Sequence, residues 1–322
     1  MLTLDSVKAL LKDDITANNA LITSELNSDV DLINSVNKHI IYGGKRLRPF
    51  FLMLVARALG YKGNKHHKAA AIIECIHAAT LLHDDVVDQS ALRRGKKTVN
   101  CLFGNSASVL TGDYLYSRAF QMIVDLDEMS VIRVLANATN IIAKGEILQL
   151  LHCNNPKITE KQYMEVIYCK TAKLFEAACD ISAILNKATE LDKTTVHSYG
   201  IHLGNAFQIS DDILDYVSDS DTMGKESGSD LAQGKVTLPI IYALDLVNDA
   251  DRLLIEKTIT KKIFLKSCDI FKLVKTCGAI EKSNQKAFSE ANLAKNSISA
   301  LPSSVYRDAL IALCDLVVNR KL

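Results

Sequence analysis

Between residues 2 and 40, apolar side chains return every three or four positions, as Leu4, Val7, Leu10, Leu11 and Ile15 and then Leu32, Ile33 and Val36, with charges between them. That period predicts amphipathic helices. A longer run of apolar and small residues, from about His66 to Val87, predicts a helix that ends among Asp84, Asp85 and Asp88. Residues 107 to 151 predict one or two further helices, with Gly112-Asp113 and Gly145-Glu146 as interior breaks. After the Asn154-Asn155-Pro156 turn, Thr159 is a candidate cap with Gln162 three residues on, opening one helix that reaches about Leu185. His197 to Tyr216 is helical again, residues 218 to 235 form a loop rich in Gly, Ser and Asp, and Pro239 to Leu322 returns to helix.

Only four prolines, at 49, 156, 239 and 302, interrupt this pattern, so long helices can persist. The expected fold class is all-α, a single domain over residues 1–322, built as a bundle of long helices around a central cavity. A net charge of +1 gives no chain-wide basic field and argues against nucleic acid as a partner. Eight cysteines stand singly and read as reduced thiols of a cytoplasmic protein. The longest apolar stretches are broken by Glu74 and His77, short of the ~20 residues a membrane span needs, so a soluble protein is expected.

Three constellations carry chemistry. Asp84 and Asp88, four apart, share a helical face, and Asp211, Asp212 and Asp215 repeat the DDxxD spacing. Carboxylates so placed repel unless a cation lies between them, and hard oxygen ligands of this kind suit Mg²⁺. The bland alternative is a pair of solvated acidic helix ends. Gly43-Gly44-Lys45-Arg46-Leu47-Arg48-Pro49 packs cations behind two flexible glycines, either as a basic turn or as a diphosphate clamp. Arg93-Arg94-Gly95-Lys96-Lys97 places a second cationic loop within a turn or two of the first carboxylates. Lys170-Thr171 is a further candidate phosphate contact, and Lys225 and Lys235 each follow a glycine. Glu74-x-x-His77 matches the di-iron bundle motif once, where such bundles need it twice.

Taken in order, GGKRLRP, HDDVVDxxxxRRG, GDxLxxxAF, KTAxLFE, FQxxDDxLD and GKxxGxDLxxGKxTxP resemble the trans-type isoprenyl diphosphate synthases, most closely the long-chain members that make quinone side-chain precursors. The resemblance covers residues 40 to 240 motif by motif. It implies the isoprenoid synthase fold and Mg²⁺ as cofactor, three ions per site with substrate bound. It implies Asp84, Asp88 and Asp211 as principal metal ligands, supported by Asp85, Asp212 and Asp215. Lys45, Arg48, His77 and Arg94 would hold isopentenyl diphosphate, and Arg93, Lys170, Thr171, Gln208, Lys225 and Lys235 the allylic diphosphate. The product implied is octaprenyl diphosphate, made by a homodimer, with transient membrane contact for product release left open. Ser229 and Val236 depart from the family pattern of Asp and Pro.

Ala79 and Thr80 precede Asp84 by five and four residues, roughly 6 to 7 Å deeper along the helix. Both are small, and in this family a bulky aromatic there closes the tunnel early. The resemblance therefore implies an open tunnel and a long product; the alternative is simple helix packing with small residues. A terpene cyclase would need one diphosphate clamp rather than two, and a non-catalytic partner subunit would usually lack one of the aspartate motifs.

Overall fold

Helices begin where the sequence supplies caps. Thr3 and Thr159 each accept a hydrogen bond from the backbone three residues on, and the side chains of Ser6 and Gln162 bond back to the cap backbone. In the computed structural model, residues 3–41, 46–93, 95–217, 228–261 and 267–319 are described. The expected all-α class holds. Among these residues the one extended element is a hairpin, β1 (Leu92–Arg93) paired antiparallel with β2 (Lys96–Lys97).

Three short helices lead in: α1 (Leu4–Ala9), α2 (Lys12–Glu25) and α3 (Asp31–Ile41). Asp14 anchors α2. Its carboxylate accepts from Arg57 Nε at 2.9 Å and from His66 and His67 at 3.0 and 2.7 Å. Then come α4 (Leu47–Ala58) and α5 (Lys65–Val87), the helix that carries the first aspartate motif. Every residue of α4 from Pro49 to Ala56 is buried, as expected of a helix apolar all round.

After α6 (Val99–Phe103) come α7 (Asn105–Asp125) and α8 (Met129–His152), which run unbroken through Gly112 and Gly145. The expected breaks do not exist. These glycines permit close approach instead: a Cβ on Gly112 would lie 2.3 Å from His83 Nε2, and one on Gly145 only 2.7 Å from the Cys169 Cβ. The expected single helix from 159 to 185 is interrupted. It consists of α9 (Glu160–Ile167), a π turn over Tyr168–Ala172 and α10 (Lys173–Leu185). No change of propensity marks that extra residue per turn, and such turns cluster at functional sites.

The longest element is α11 (Glu190–Val217), whose first half, through Val196, Tyr199 and Leu203, belongs to the larger apolar core. Its second half, through Ile209, Ile213 and Tyr216, joins a second cluster with the helix α13 (Leu238–Leu246). Within the expected loop lies a one-turn helix, α12 (Ser229–Ala232). Helices α14 (Asp249–Lys261), α15 (Ser267–Thr276), α16 (Ala279–Ile298) and α17 (Val305–Val318) complete the bundle. No described helix is long and apolar enough to cross a membrane.

Candidate active site

Where α5, α8, α9, the π turn and α11 converge, they enclose a cavity of about 590 Å³. Asp84, Asp88, Asp211, Asp212 and Asp230 line it, and so do Arg48, Arg93, Lys170 and Lys235. Leu81, Ile158, Val166, Ile167 and Phe207 form its apolar part. Asp84 and Asp88 come from the last turn of α5 and its cap, so the helix dipole disfavours their charge and a cation is called for. Two lysines meet that need. Lys170 Nζ lies 3.6 Å from Asp84 Oδ2 and donates to Glu146 Oε2 at 2.8 Å, while Lys235 Nζ donates to Asp88 Oδ2 at 2.6 Å. Burial alone would lower the Lys170 pKa, but Asp84 and Glu146 outweigh it and raise it above the usual lysine value.

The supporting carboxylates behave differently. Asp85, one residue round the helix, is buried and held by Arg93 at 2.8 and 2.9 Å, outside the cavity lining. Burial pushes its pKa up and Arg93 opposes the shift. Asp215 is also buried and outside the lining: it accepts from Ser229 Oγ at 3.0 Å and from the Asp230 amide at 3.1 Å, fixing the start of α12. Of the six carboxylates expected to serve the metal, Asp85 and Asp215 are thus the two that do not line the cavity. Their oxygens are taken up by protein donors that hold the loop and hairpin beside the cavity.

Asp212 does line the cavity, clamped by Tyr163 O–H at 2.6 Å and by Gln208 Nε2 at 2.7 Å. Gln208 Oε1 accepts from Thr171 Oγ1 at 2.7 Å, so the π turn, α9 and α11 share one network. Burial, reinforced by Asp230, raises the Asp212 pKa well above the usual carboxylate range. Arg48 NH1 lies 2.9 Å from His77 Nε2, with its guanidinium 5.1 Å from the Phe175 ring centre. Thr80 lines the cavity, whereas Ala79 is fully buried in the core and does not. Of the two positions expected to bear on chain length, Thr80 is the one that faces it. Lys45, Arg94 and Lys225 lie outside the described residues.

Sequence reasoning missed Glu146, Tyr163 and the cavity-lining Gln149. Glu146 was hidden by its neighbour Gly145, read as a break. Tyr163 carries no local signal, because its partner Asp212 is 49 residues away. Asp84, Asp88 and Asp211 offer only oxygen donors, the set a hard ion such as Mg²⁺ prefers, so the residues fit that metal. Among the described residues, the tight clusters of three potential ligands are elsewhere: Asp14 with His66 and His67, and Glu176 with Asp180 and His197.

The model of the polyprenyl synthetase family matches residues 30–275. The chain belongs to that family. This polyprenyl synthetase is 45% identical over 323 residues to octaprenyl diphosphate synthase of Escherichia coli K12, covering 99% of both chains. It is 42% identical to the all-trans-nonaprenyl-diphosphate synthase of Rhodobacter capsulatus, with 98% of this chain and 97% of that one covered. The fold matches the polyprenyl synthase of Caulobacter crescentus, crystallised with calcium and isoprenyl diphosphate, at a TM-score of 0.96 and 36% identity, over 99% and 98% of the two chains. The fold is thus the isoprenoid synthase fold, and the protein is a prenyltransferase, a trans-prenyl diphosphate synthase. The family uses allylic and isopentenyl diphosphates and in general depends on Mg²⁺.

Proposed function

We propose that this chain extends an allylic diphosphate such as farnesyl diphosphate by successive head-to-tail condensations with isopentenyl diphosphate, ending at octaprenyl diphosphate for quinone side chains. One observation carries this reading: Asp84, Asp88 and Asp211 converge with Lys170, Lys235 and Arg93 on one cavity that also has an apolar wall of Leu81, Val166, Ile167 and Phe207. The E. coli relative supports the eight-unit product. The R. capsulatus relative, at similar identity, bears a nonaprenyl name, so the end point of the ladder is what an assay must read.

Asp84, Asp88 and Asp211 would hold Mg²⁺, three ions with substrate in place, which when bound neutralises diphosphate charge. Lys170, Lys225 and Lys235, with Arg93, Thr171 and Gln208, receive the allylic diphosphate; Lys45, Arg48, His77 and Arg94 receive isopentenyl diphosphate. As the allylic carbon–oxygen bond breaks, charge grows on the departing diphosphate, and cations placed there stabilise that state above the ground state. The isopentenyl double bond attacks the allylic cation. Loss of a proton to the released diphosphate restores an allylic product one unit longer. Leu81, Ile167 and Phe207 keep water from quenching the cation.

The same reading includes a cytoplasmic homodimer. Thiols outside any disulfide at Cys75, Cys101, Cys169, Cys179, Cys277 and Cys314 support a reducing compartment. Leu110 and Val124 on α7 are 67% and 66% exposed, and Leu151 on α8 is 71% exposed, an apolar face that a second copy would cover. Purified protein given Mg²⁺, farnesyl diphosphate and labelled isopentenyl diphosphate should yield a product ladder ending at octaprenol after dephosphorylation. Failure to consume isopentenyl diphosphate refutes the reading, and a monomer by sedimentation refutes the dimer.

A further inference from the structure

We propose that Lys235 is an exchangeable placeholder, its ammonium occupying the Asp88 carboxylate until metal and diphosphate arrive together, while Glu146 positions Lys170 beside Asp84 and off it. This rests on the function proposed above. At 2.6 Å the Lys235 ammonium spends a proton on the Asp88 Oδ2 lone pair, and both side chains are about 15% exposed, so water competes weakly. A divalent ion that takes that oxygen must expel the ammonium. The expelled cation then needs an anion, which diphosphate provides. Each ligand therefore lowers the cost of the other, and by linkage the effect is reciprocal.

Lys170 differs in degree. It lies 3.6 Å from Asp84 Oδ2, beyond hydrogen-bond range, but 2.8 Å from Glu146 Oε2. Glu146 thus draws it off Asp84 while keeping it in the cavity, and Asp84 is left more open to metal than Asp88. Glu146 stands on α8, outside both aspartate motifs. Its contact is with a lysine rather than with substrate, which makes it a positioning residue.

The test is direct binding, read without turnover. Free Mn²⁺ is counted by its EPR signal with and without inorganic diphosphate, against a protein-free diphosphate blank. Removing a partly buried, charge-assisted hydrogen bond is worth about tenfold in affinity. Lys235→Met should therefore bind Mn²⁺ alone about tenfold more tightly, and the factor by which diphosphate tightens Mn²⁺ should fall by that same ~10-fold. Lys235→Gln, which keeps a polar head, should move the same way, so a misfolded methionine variant leaves the question answerable. Glu146→Gln lets Lys170 fall back on Asp84. Mn²⁺ alone should then bind about threefold more weakly and the diphosphate enhancement should rise. Tighter Mn²⁺ binding by Lys235→Met with an unchanged diphosphate enhancement would mean the lysine repels metal through space without being displaced, and overturns the exchange alone. Wild-type protein that binds no Mn²⁺ even with diphosphate overturns the reading of the site as well.

Discussion

Replacing Gly145 with alanine probes how α8 and the π turn jointly set the position of Lys170. A Cβ at residue 145 would lie 2.7 Å from Cys169 Cβ, 2.9 Å from the Lys170 backbone nitrogen and 3.1 Å from the Cys169 carbonyl carbon. Comfortable separations for such atoms are about 3.5 Å or more, so the π turn must withdraw by roughly 0.8 Å. Two terms oppose each other in stability. Alanine is about 0.8–1.0 kcal/mol better than glycine inside a helix. Forced overpacking typically costs about 1–3 kcal/mol. The net loss should be about 1 kcal/mol, which lowers the melting temperature by about 1–2 °C in a chain of this size.

Activity should suffer far more. Lys170 belongs to the displaced backbone, and on the proposed function its ammonium must still meet a diphosphate oxygen; a shift of about 1 Å at such a group can cost up to ~10²-fold. The expected result is a folded Gly145→Ala variant with kcat lowered about 10- to 100-fold, read from steady-state kinetics beside a thermal melt. A folded variant with the wild-type kcat would show that this contact does not locate the π turn. A melting temperature lowered by tens of degrees would show that the close approach serves the core rather than the site.

Tyr163→Phe removes the 2.6 Å donor from Asp212 and should raise the Mg²⁺ concentration for half-maximal rate about tenfold, as loss of a ligand's supporting hydrogen bond commonly does; an unchanged Mg²⁺ dependence would contradict it. Thr80→Phe should shorten the product on reversed-phase chromatography because Thr80 lines the cavity, whereas Ala79→Phe should mainly cost stability, about 1–3 kcal/mol, because Ala79 is fully enclosed. His66 donates to Asp14 from a fully buried ring, and burial lowers its pKa to about 4, so the stability it lends is complete above pH ~6.5 and drains away as pH falls towards 4. Urea unfolding should show wild type losing about 2 kcal/mol between pH 7 and 4.5 from this source, and His66→Gln should lack that part of the loss.

The helical class, and the carboxylates that the fold brings to the cavity, were legible because their signals are local. A 3.6-residue period shows within any window of the chain, and DDxxD puts Asp84 and Asp88 on one face without reference to any other element. The same geometry sends Asp85 some 100° round the helix, and so to Arg93 rather than into the cavity. What could not be read depends on partners distant in sequence. Gly145 means a break or a close crossing according to whether Cys169 lies against it. The π turn has no propensity of its own, and Asp215 was claimed by the loop it orders rather than by the cavity its motif suggested.

The motif's location is electrostatically adverse, and that adversity makes a last prediction. Asp84 sits in the final turn of α5, beside Asp85 and one turn from Asp88, where helix dipole and like charges all disfavour a carboxylate. Among the described residues its close cation, Lys170, is 3.6 Å away and is hydrogen-bonded to Glu146 at 2.8 Å. Removing the Asp84 charge takes one of two nearby anions from Lys170 but leaves it the shorter bond to Glu146, and it relieves the repulsion from Asp85 and Asp88. Asp84→Asn should stabilise the metal-free protein by about 0.5–1 kcal/mol, the usual worth of a dipole or like-charge contact. It should also lower turnover by about 10² or more, because charge on the departing diphosphate loses a stabilising group. A melting curve in chelator and a steady-state rate at saturating Mg²⁺ decide it. A lower melting temperature would mean Asp84 holds the fold together, and a near-normal rate would remove it from the metal ligands. Higher stability with lost turnover would mark it as a residue retained for chemistry at the expense of the fold.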